Sequence, residues 1–158
     1  MAIDTFIAGP YTATFNSADV GITEEGYRIS QEASYQEISP SDAYGDTVLD
    51  LIYRGGNVFC RYDSKAYKAG SIAAAWPFAS LGALGTVGTL MAGAGTPLTK
   101  SFVMTRVLTQ STPTSITATR ACLAKNFPVE LLFDSKLRTV PVRKQFLPSD
   151  AAAFFTTA

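Results

Sequence analysis

Few residues of this 158-residue chain have the types and spacing needed for catalysis. The sequence contains no histidine, which removes Ser–His and Cys–His activation and the commonest metal ligand. The carboxylates grouped closely enough for acid–base work are Glu24 with Glu25, and Asp46 with Asp50. Neither GxGxxG nor GxxxxGK[ST] occurs, so no phosphate-binding glycine loop is expected. The chain is predicted to be no enzyme and to hold no cofactor or metal, and an acid–base enzyme is a distant alternative.

Two cysteines, Cys60 and Cys122, are the remaining reactive side chains. They lie far apart in the sequence and form no CxxC pair, which argues against a metal or redox site. We expect both to be small buried residues of a protein made in a reducing cytoplasm. A single disulfide between them is the alternative.

Charge is scarce and unevenly distributed along the chain. Charged residues make up 16% of the sequence, against roughly 25% in an average globular domain. Residues 1–52 contain nine acids and one base, for a net charge of −8, whereas residues 53–158 contain four acids and twelve bases, for +8. The two halves can attract each other within one fold, or an acidic face of one copy can meet a basic face of the next. The formal total of zero offers little colloidal protection, which favours assembly.

Short β-type segments must position these residues, within a length typical of one domain. Tyr11–Phe15 alternates aromatic and small residues, and residues 27–35 repeat with a period of two, as in a half-buried strand. No apolar stretch approaches the roughly 18 residues of a membrane span. Most aromatic residues are expected in the core, among them Tyr27, Tyr35, Tyr53, Phe59, Tyr62 and Trp76. Further strands are predicted at residues 99–108, 115–124, 128–133 and 137–142.

A glycine pair predicts a hairpin in the first third of the chain. Gly55 and Gly56 separate residues 47–54 from residues 57–62, and glycine suits the positive φ angles of a two-residue turn. Apolar side chains fall on both faces of the first arm, so both faces are predicted to be covered. These side chains are Val48, Leu49, Leu51, Ile52 and Tyr53.

Outside the strands, the sequence predicts one short helix and an uncharged tail. Residues 71–76 follow a glycine and begin with Ser71, a suitable N-cap. Residues 148–158 are small, apolar and almost without charge. We expect this tail either to fray or to be captured by a neighbouring subunit.

The order of features over residues 20–62 resembles the N-terminal half of bacteriophage tail tube proteins. Members of that family have an early G-x-T-x-x-G turn, here residues 21–26, which leads into a long strand. A loop with the letters YGD follows, here residues 44–46, and then a strand that ends in glycine. Over residues 63–158 the resemblance is confined to a small helix followed by strands.

This resemblance implies a mainly β fold, an antiparallel β-sandwich or half-barrel with one short flanking helix. Copies would form hexameric rings, closing the exposed sheet edges that are a hazard in a monomer. The rings would stack into the tail tube of the virion, which conducts DNA without sequence-specific binding. Other tail proteins, such as sheath, baseplate or terminator, would be further partners, and no membrane anchor is expected.

The resemblance also gives the charged residues provisional roles. A negative lumen would let DNA phosphates pass, since basic side chains would retain them. The lumen or ring-face candidates are the acids Glu24, Glu25, Glu32 and Glu37. The candidates for contacts between stacked rings are Asp42, Asp46, Arg54, Arg61, Lys65, Lys68, Arg138, Arg143 and Lys144.

Two other functions fit parts of the sequence. A tail terminator or head–tail connector would also form rings from a related fold, but would stop at a single ring. A basic nucleic-acid-binding β domain would use the cationic residues of the second half and would bind DNA in a salt-sensitive manner. The residues for that role are Lys125, Arg138, Arg143 and Lys144.

Overall fold

The computed structural model describes residues 9–38, 47–65, 99–128 and 139–158. Within these ranges the regular elements are β-strands and no helix occurs, which confirms the prediction of a mainly antiparallel β fold. The strands are β1 (Tyr11–Phe15), β2 (Ala18–Asp19), β3 (Thr23–Ile38), β4 (Asp50–Ser64), β5 (Lys100–Arg106), β6 (Ser115–Leu123), β7 (Val140–Phe146) and β8 (Thr156–Thr157).

The described strands form one open antiparallel sheet in the order β2-β1-β5-β6-β7-β4-β3, and β8 pairs with β6 beside this path. The longest pairing joins β3 and β4, from Thr23 opposite Ser64 to Ile38 opposite Asp50. The short strands β1, β5, β6 and β7 hold the core, whereas the far ends of β3 and β4 extend beyond it. Because of this difference in length, the far ends of β3 and β4 form a surface outside the core.

The core lies on one face of the sheet, because every second side chain points the same way. In β7 the buried residues are Val140, Val142, Lys144 and Phe146, and the residues between them are only half-buried. Each large apolar side chain that is fully buried stabilises the fold by about 1.5–3 kcal/mol relative to an exposed one. The core residues are Ala13, Phe15, Val20, Val58, Cys60, Tyr62, Phe102, Met104, Ala118, Ala121, Val140, Val142 and Phe146.

Ring contacts across the core show that the sheet curls. Tyr62 on β4 and Phe102 on β5 have ring centroids 6.3 Å apart, although two strands separate β4 from β5 in the sheet. At about 4.8 Å per strand, a flat sheet would hold the backbones of β4 and β5 about 14 Å apart. Side chains that stand perpendicular to a flat sheet would be separated by about the same distance. Tyr27 on β3 also reaches Phe102, at 6.2 Å. The open sheet therefore curves around its apolar face as a half-barrel does.

Both cysteines are buried and neither forms a disulfide. This confirms that they are small buried residues, and the structure contains no bond between them. Burial raises the pKa of the Cys60 thiol to about 12, against a smaller opposing effect of Lys144. Because the thiolate is the reactive form, Cys60 is inert in the folded chain.

Three of the predicted strands are found close to their predicted bounds. β1 has the predicted bounds, and β5 and β6 correspond to the predictions for residues 99–108 and 115–124. The strand predicted at 137–142 lies later, in β7, because its alternating buried side chains begin at Val140. The helix predicted at 71–76 and nearly all of the strand predicted at 128–133 lie outside the described residues.

The predicted hairpin at Gly55 and Gly56 is wrong, since β4 runs through both glycines without turning. Gly55 has a φ of 125°, but Gly56 lacks the second positive φ that the turn requires. A glycine is needed at position 56 because the backbone of β3 passes too close to leave room for a side chain. A Cβ atom there would lie 2.6 Å from the backbone oxygen of Glu32 on β3. Opposite the glycines, the register shifts between Ser34 and Tyr35.

The tail is not frayed, because it pairs with the sheet of its own chain. Thr156 and Thr157 form β8 against β6, and the backbone of Ala158 exchanges hydrogen bonds with Ser115. Phe155 packs edge-on against the core residue Phe146, with centroids 6.4 Å apart. The prediction of fraying is wrong because it considered the absence of charge and not the two aromatic rings that anchor the segment.

Replacing Gly56 with alanine should lower the free energy of unfolding by about 2 kcal/mol, because the new methyl group meets the backbone of β3. Ser34→Ala is a matched control, since Ser34 lies opposite Gly55 and is exposed. Urea unfolding of both variants measures the effect. Equal stability of the two variants would contradict the close approach of β3 and β4.

Replacing Phe155 with alanine should cost about 2 kcal/mol of stability, less than for a fully buried ring because Phe155 is half-buried. Thr157→Ala, in an exposed position of the same segment, should cost less than about 0.5 kcal/mol. Thermal unfolding monitored by circular dichroism compares the two. An unchanged melting temperature for Phe155→Ala would show that the tail does not stabilise the core.

Candidate assembly surface

The far ends of β3 and β4 form a two-stranded ribbon, defined here as residues 31–38 paired with residues 50–57. β7 accompanies β4 only as far as Val58, which lies opposite Phe146. Beyond that point β3 and β4 pair only with each other among the described strands. At about 3.4 Å per residue, eight residues extend about 27 Å from the core. A two-stranded ribbon of this kind is marginally stable alone.

Apolar side chains are exposed along the ribbon and in the residues that lead into it. Tyr35 and Tyr53 lie directly opposite each other, with ring centroids 5.8 Å apart, and both are 54% exposed. Their face of the ribbon also carries Glu37 opposite Leu51, two residues along each strand. The exposed apolar set comprises Tyr35, Ile38, Val48, Leu49, Leu51, Ile52 and Tyr53.

This exposure corrects two predictions. The first arm of the expected hairpin was predicted to be covered on both faces, but its apolar residues are exposed because β7 ends before reaching them. Tyr35 and Tyr53 were expected in the core and are exposed for the same reason, whereas Tyr62 is a core residue as predicted. Apolar side chains exposed on both faces make the ribbon a candidate interaction site.

Glu24 and Glu25 lie at the start of β3, at the end away from the ribbon, where the register with β4 shifts. Glu24 pairs with Lys65 at 3.0 Å, and Glu25 pairs with Arg28 three residues along the chain. All four side chains are well exposed, so each pair contributes about 0–1 kcal/mol.

Three arginines form a row across the outward face of the sheet. Arg28 on β3 lies opposite Arg61 on β4, and Arg61 lies opposite Arg143 on β7. We refer to these three residues as the arginine row. Like charges directly opposite one another on neighbouring strands are destabilising, so the row needs acidic or aromatic neighbours.

Such neighbours are present on both sides of the row. Arg143 donates a hydrogen bond to Glu32 at 2.7 Å, and its guanidinium carbon lies 3.8 Å from the ring centre of Phe59. Arg61 lies 6.0 Å from the ring centre of Phe127. The row borders a shallow depression of about 300 Å³. Its lining residues are Arg28, Ser30, Arg61, Phe127 and Arg143.

The remaining charged candidates on the ribbon are isolated. Glu37 and Arg54 are exposed, and within the described residues neither has an ion pair or side-chain hydrogen bond. The four acidic candidates thus differ in whether they form an ion pair within the described residues. Glu24, Glu25 and Glu32 pair with bases of the same chain, and Glu37 projects from the ribbon on the face that carries the two tyrosines.

Lys144 does not lie on the surface. Its side chain is fully buried on the core side of β7, with its nitrogen 3.8 Å from the ring centre of Phe15. Burial lowers the pKa of Lys144 to about 7, against smaller opposing effects of Cys122 and Cys60. Its predicted role in a contact between rings is therefore wrong, because the alternation of β7 turns it inward. The same burial removes it from a nucleic-acid surface.

Four of the predicted contact residues cannot be placed, because Asp42, Asp46, Lys68 and Arg138 lie outside the described residues. In the part of the chain that is described, no three histidine, cysteine or acidic side chains come together as a metal site would require. No helix among the described residues is long and apolar enough to cross a membrane.

The sequence reading missed the arginine row and the ribbon. The row depends on the registers of β3 with β4 and of β4 with β7, and β7 is far from both in the sequence. The sequence feature that marks the ribbon is the presence of apolar residues on both faces of the segment before Gly55 and Gly56. We interpreted this segment as the covered arm of a hairpin. A strand that continues through the glycines places the same residues on an extension instead of in a covered hairpin.

Replacing Lys144 with methionine should flatten the pH dependence of the free energy of unfolding above neutral pH. In the wild-type chain the pKa of Lys144 is about 7 when folded, below its ordinary 10.5, so the unfolded chain binds more protons between these values. Stability should therefore rise as pH increases from about 7, by at most about 1.4 kcal/mol per pH unit.

Urea unfolding at pH 7.0 and at about pH 8.5 measures this dependence. The upper limit stays below the range in which the raised pKa of Cys60 makes stability fall with pH. Cys122→Ala serves as a control that leaves the lysine in place. The same increase in wild type and Lys144→Met would contradict the assignment.

Comparison with known proteins adds no relative. No protein-family model matches the chain, and no curated protein is significantly similar to it. The function must therefore be inferred from the residues and their placement, together with the resemblance over residues 20–62.

Proposed function

We propose that this chain is a virion structural protein that assembles with its own copies into stacked hexameric rings, forming a bacteriophage tail tube through which DNA passes. The proposal is supported by the resemblance over residues 20–62 and by the low, polarised charge of the chain. In this role it is not an enzyme and uses no cofactor. Its other partners are further tail proteins, such as sheath, baseplate or terminator.

The observation that carries this proposal is the ribbon. A soluble monomer gains nothing from extending two strands about 27 Å past its core with tyrosine, leucine and isoleucine exposed. The same residues become stabilising when a neighbouring copy covers them, since each buried methylene contributes about 0.8 kcal/mol. A subunit that assembles needs such a projecting apolar element, and a monomeric enzyme or binding domain does not.

The open sheet gives a second line of support. β3 is the last strand at one side of the described sheet, so its outer backbone groups along 16 residues have no strand partner there. A long open edge favours pairing with other chains. Closure of several copies into a ring would pair these edges, and stacking of rings would cover the ribbons.

Within such a tube, the acidic residues of β3 are the candidates for the lumen or the ring face. Glu24, Glu25 and Glu32 are paired with bases in the isolated chain. The wall they form would be mixed in charge, and would not hold DNA phosphates as a cluster of unpaired arginines would. DNA would therefore be conducted and not retained.

A tail terminator or head–tail connector is the alternative within the same virion. Such a protein would use the same open edges to close a ring, but would not stack further. The two functions differ in the products of assembly, because a tube protein forms filaments of variable length and a terminator forms rings of one size.

Replacing Leu51 with lysine should prevent assembly without unfolding the subunit. The side chain is 51% exposed, so the change costs the monomer little, but a neighbouring copy would have to bury the new charge. We expect at least about a tenfold increase in the protein concentration needed for assembly, which corresponds to about 1.4 kcal/mol. Light scattering and sedimentation velocity measure this concentration.

Ile22→Lys is the matched control, because Ile22 is 64% exposed and lies outside the ribbon. It should assemble as the wild type does. If Leu51→Lys and Ile22→Lys assemble equally well, the ribbon is not the assembly surface. A wild-type chain that remains monomeric at every concentration and salt tested would remove the proposed function itself.

A further inference from the structure

The central member of the arginine row lacks an acidic partner. Within the described residues the side chain of Arg61 makes no hydrogen bond or ion pair, and its guanidinium carbon lies 6.0 Å from the ring centre of Phe127. The arginines on either side differ, because Arg28 pairs with Glu25 and Arg143 pairs with Glu32. A planar guanidinium between two other cations, beside an aromatic wall, is well suited to bind an added carboxylate.

The surroundings of the row favour a single carboxylate over a nucleic acid. Three acids accompany the three arginines, since Glu32 bonds to Arg143, and Glu25 and Asp63 line a second small depression next to Arg61. The local charge is therefore balanced. A strand of phosphates would meet these acids as well as the arginines, whereas one carboxylate on a protein surface could reach Arg61 alone.

The ribbon carries a carboxylate of the required kind. Glu37 is exposed, has no partner among the described residues, and shares a ribbon face with Tyr35, Leu51 and Tyr53. The carboxylate of Glu37 could enter the depression beside the arginine row of another molecule. The apolar side chains around Glu37 would then be buried against the surface next to the depression. The depression has an aromatic wall, Phe127, and a hydroxyl, Ser30, beside the arginines.

We propose that the arginine row of one copy is the docking site for the ribbon of a second copy, with Glu37 of the ribbon paired to Arg61. This inference rests on the proposed self-assembly and specifies which two surfaces meet. Because the ribbon and the row are different surfaces of the same chain, the contact is head-to-tail. Contacts of that type repeat from copy to copy and build rings or filaments.

Charge reversal tests the pair. Glu37→Lys and Arg61→Glu should each raise the concentration needed for assembly at least about tenfold, because each places like charges opposite one another. The double variant should restore assembly to within about threefold of wild type, since it recreates the pair with reversed sign. Asp150→Lys and Lys100→Glu are matched controls that reverse the same charges elsewhere and should assemble normally.

Sedimentation velocity at low salt measures assembly, and thermal unfolding verifies that every variant is folded. If the single variants assemble as wild type does, or if the double variant fails to recover, the proposed pairing is overturned while self-assembly stands. If Arg61→Glu leaves assembly intact but abolishes binding of short single-stranded DNA at low salt, the row binds nucleic acid and the proposal is likewise overturned. A monomeric wild type would instead overturn the proposed function.

Discussion

At Val58 strand β4 loses one of its two neighbours, and most properties of this chain follow from that change. On one side of Val58, β4 is paired with both β3 and β7, and its alternate side chains are buried in the core. On the other side it is paired with β3 alone, and its apolar side chains are exposed. The glycine pair permits this continuation, because Gly56 lets β3 pass close to β4. The same two strands thus stabilise the subunit and extend out of it.

The two faces of the sheet separate two kinds of positive charge. Arg28, Arg61 and Arg143 lie on the outward face, where water, carboxylates and aromatic rings can stabilise them. Lys144, the next residue after Arg143, is directed into the core, and its pKa falls to about 7. Arg143 and Lys144 differ in burial and in their electrostatic surroundings because successive side chains of a strand point to opposite faces of the sheet. Of these four cations, only the three outward arginines are positioned to contact another molecule.

Local patterns in the sequence were sufficient to predict β1, β5 and β6, which contribute to the core. β1 shows aromatic–small alternation bounded by turn residues, and β7 contains a visible alternation in which Lys144 occupies an inward position. That alternation could have identified Lys144 as buried. Gly55 and Gly56 could not be assigned locally, because a turn and a close strand approach use the same residue type. The arginine row required the pairing of distant strands, which no single segment of sequence encodes.

Electron microscopy of the purified wild-type chain tests the central claim, that this protein is built to associate with its own copies. We expect hollow tubes of uniform width and variable length, composed of stacked rings, that become shorter or disappear when Leu51 is replaced with lysine. Particles that remain monomeric across concentration and salt would contradict it. Rings of a single size that never stack would support the terminator alternative and contradict a tube.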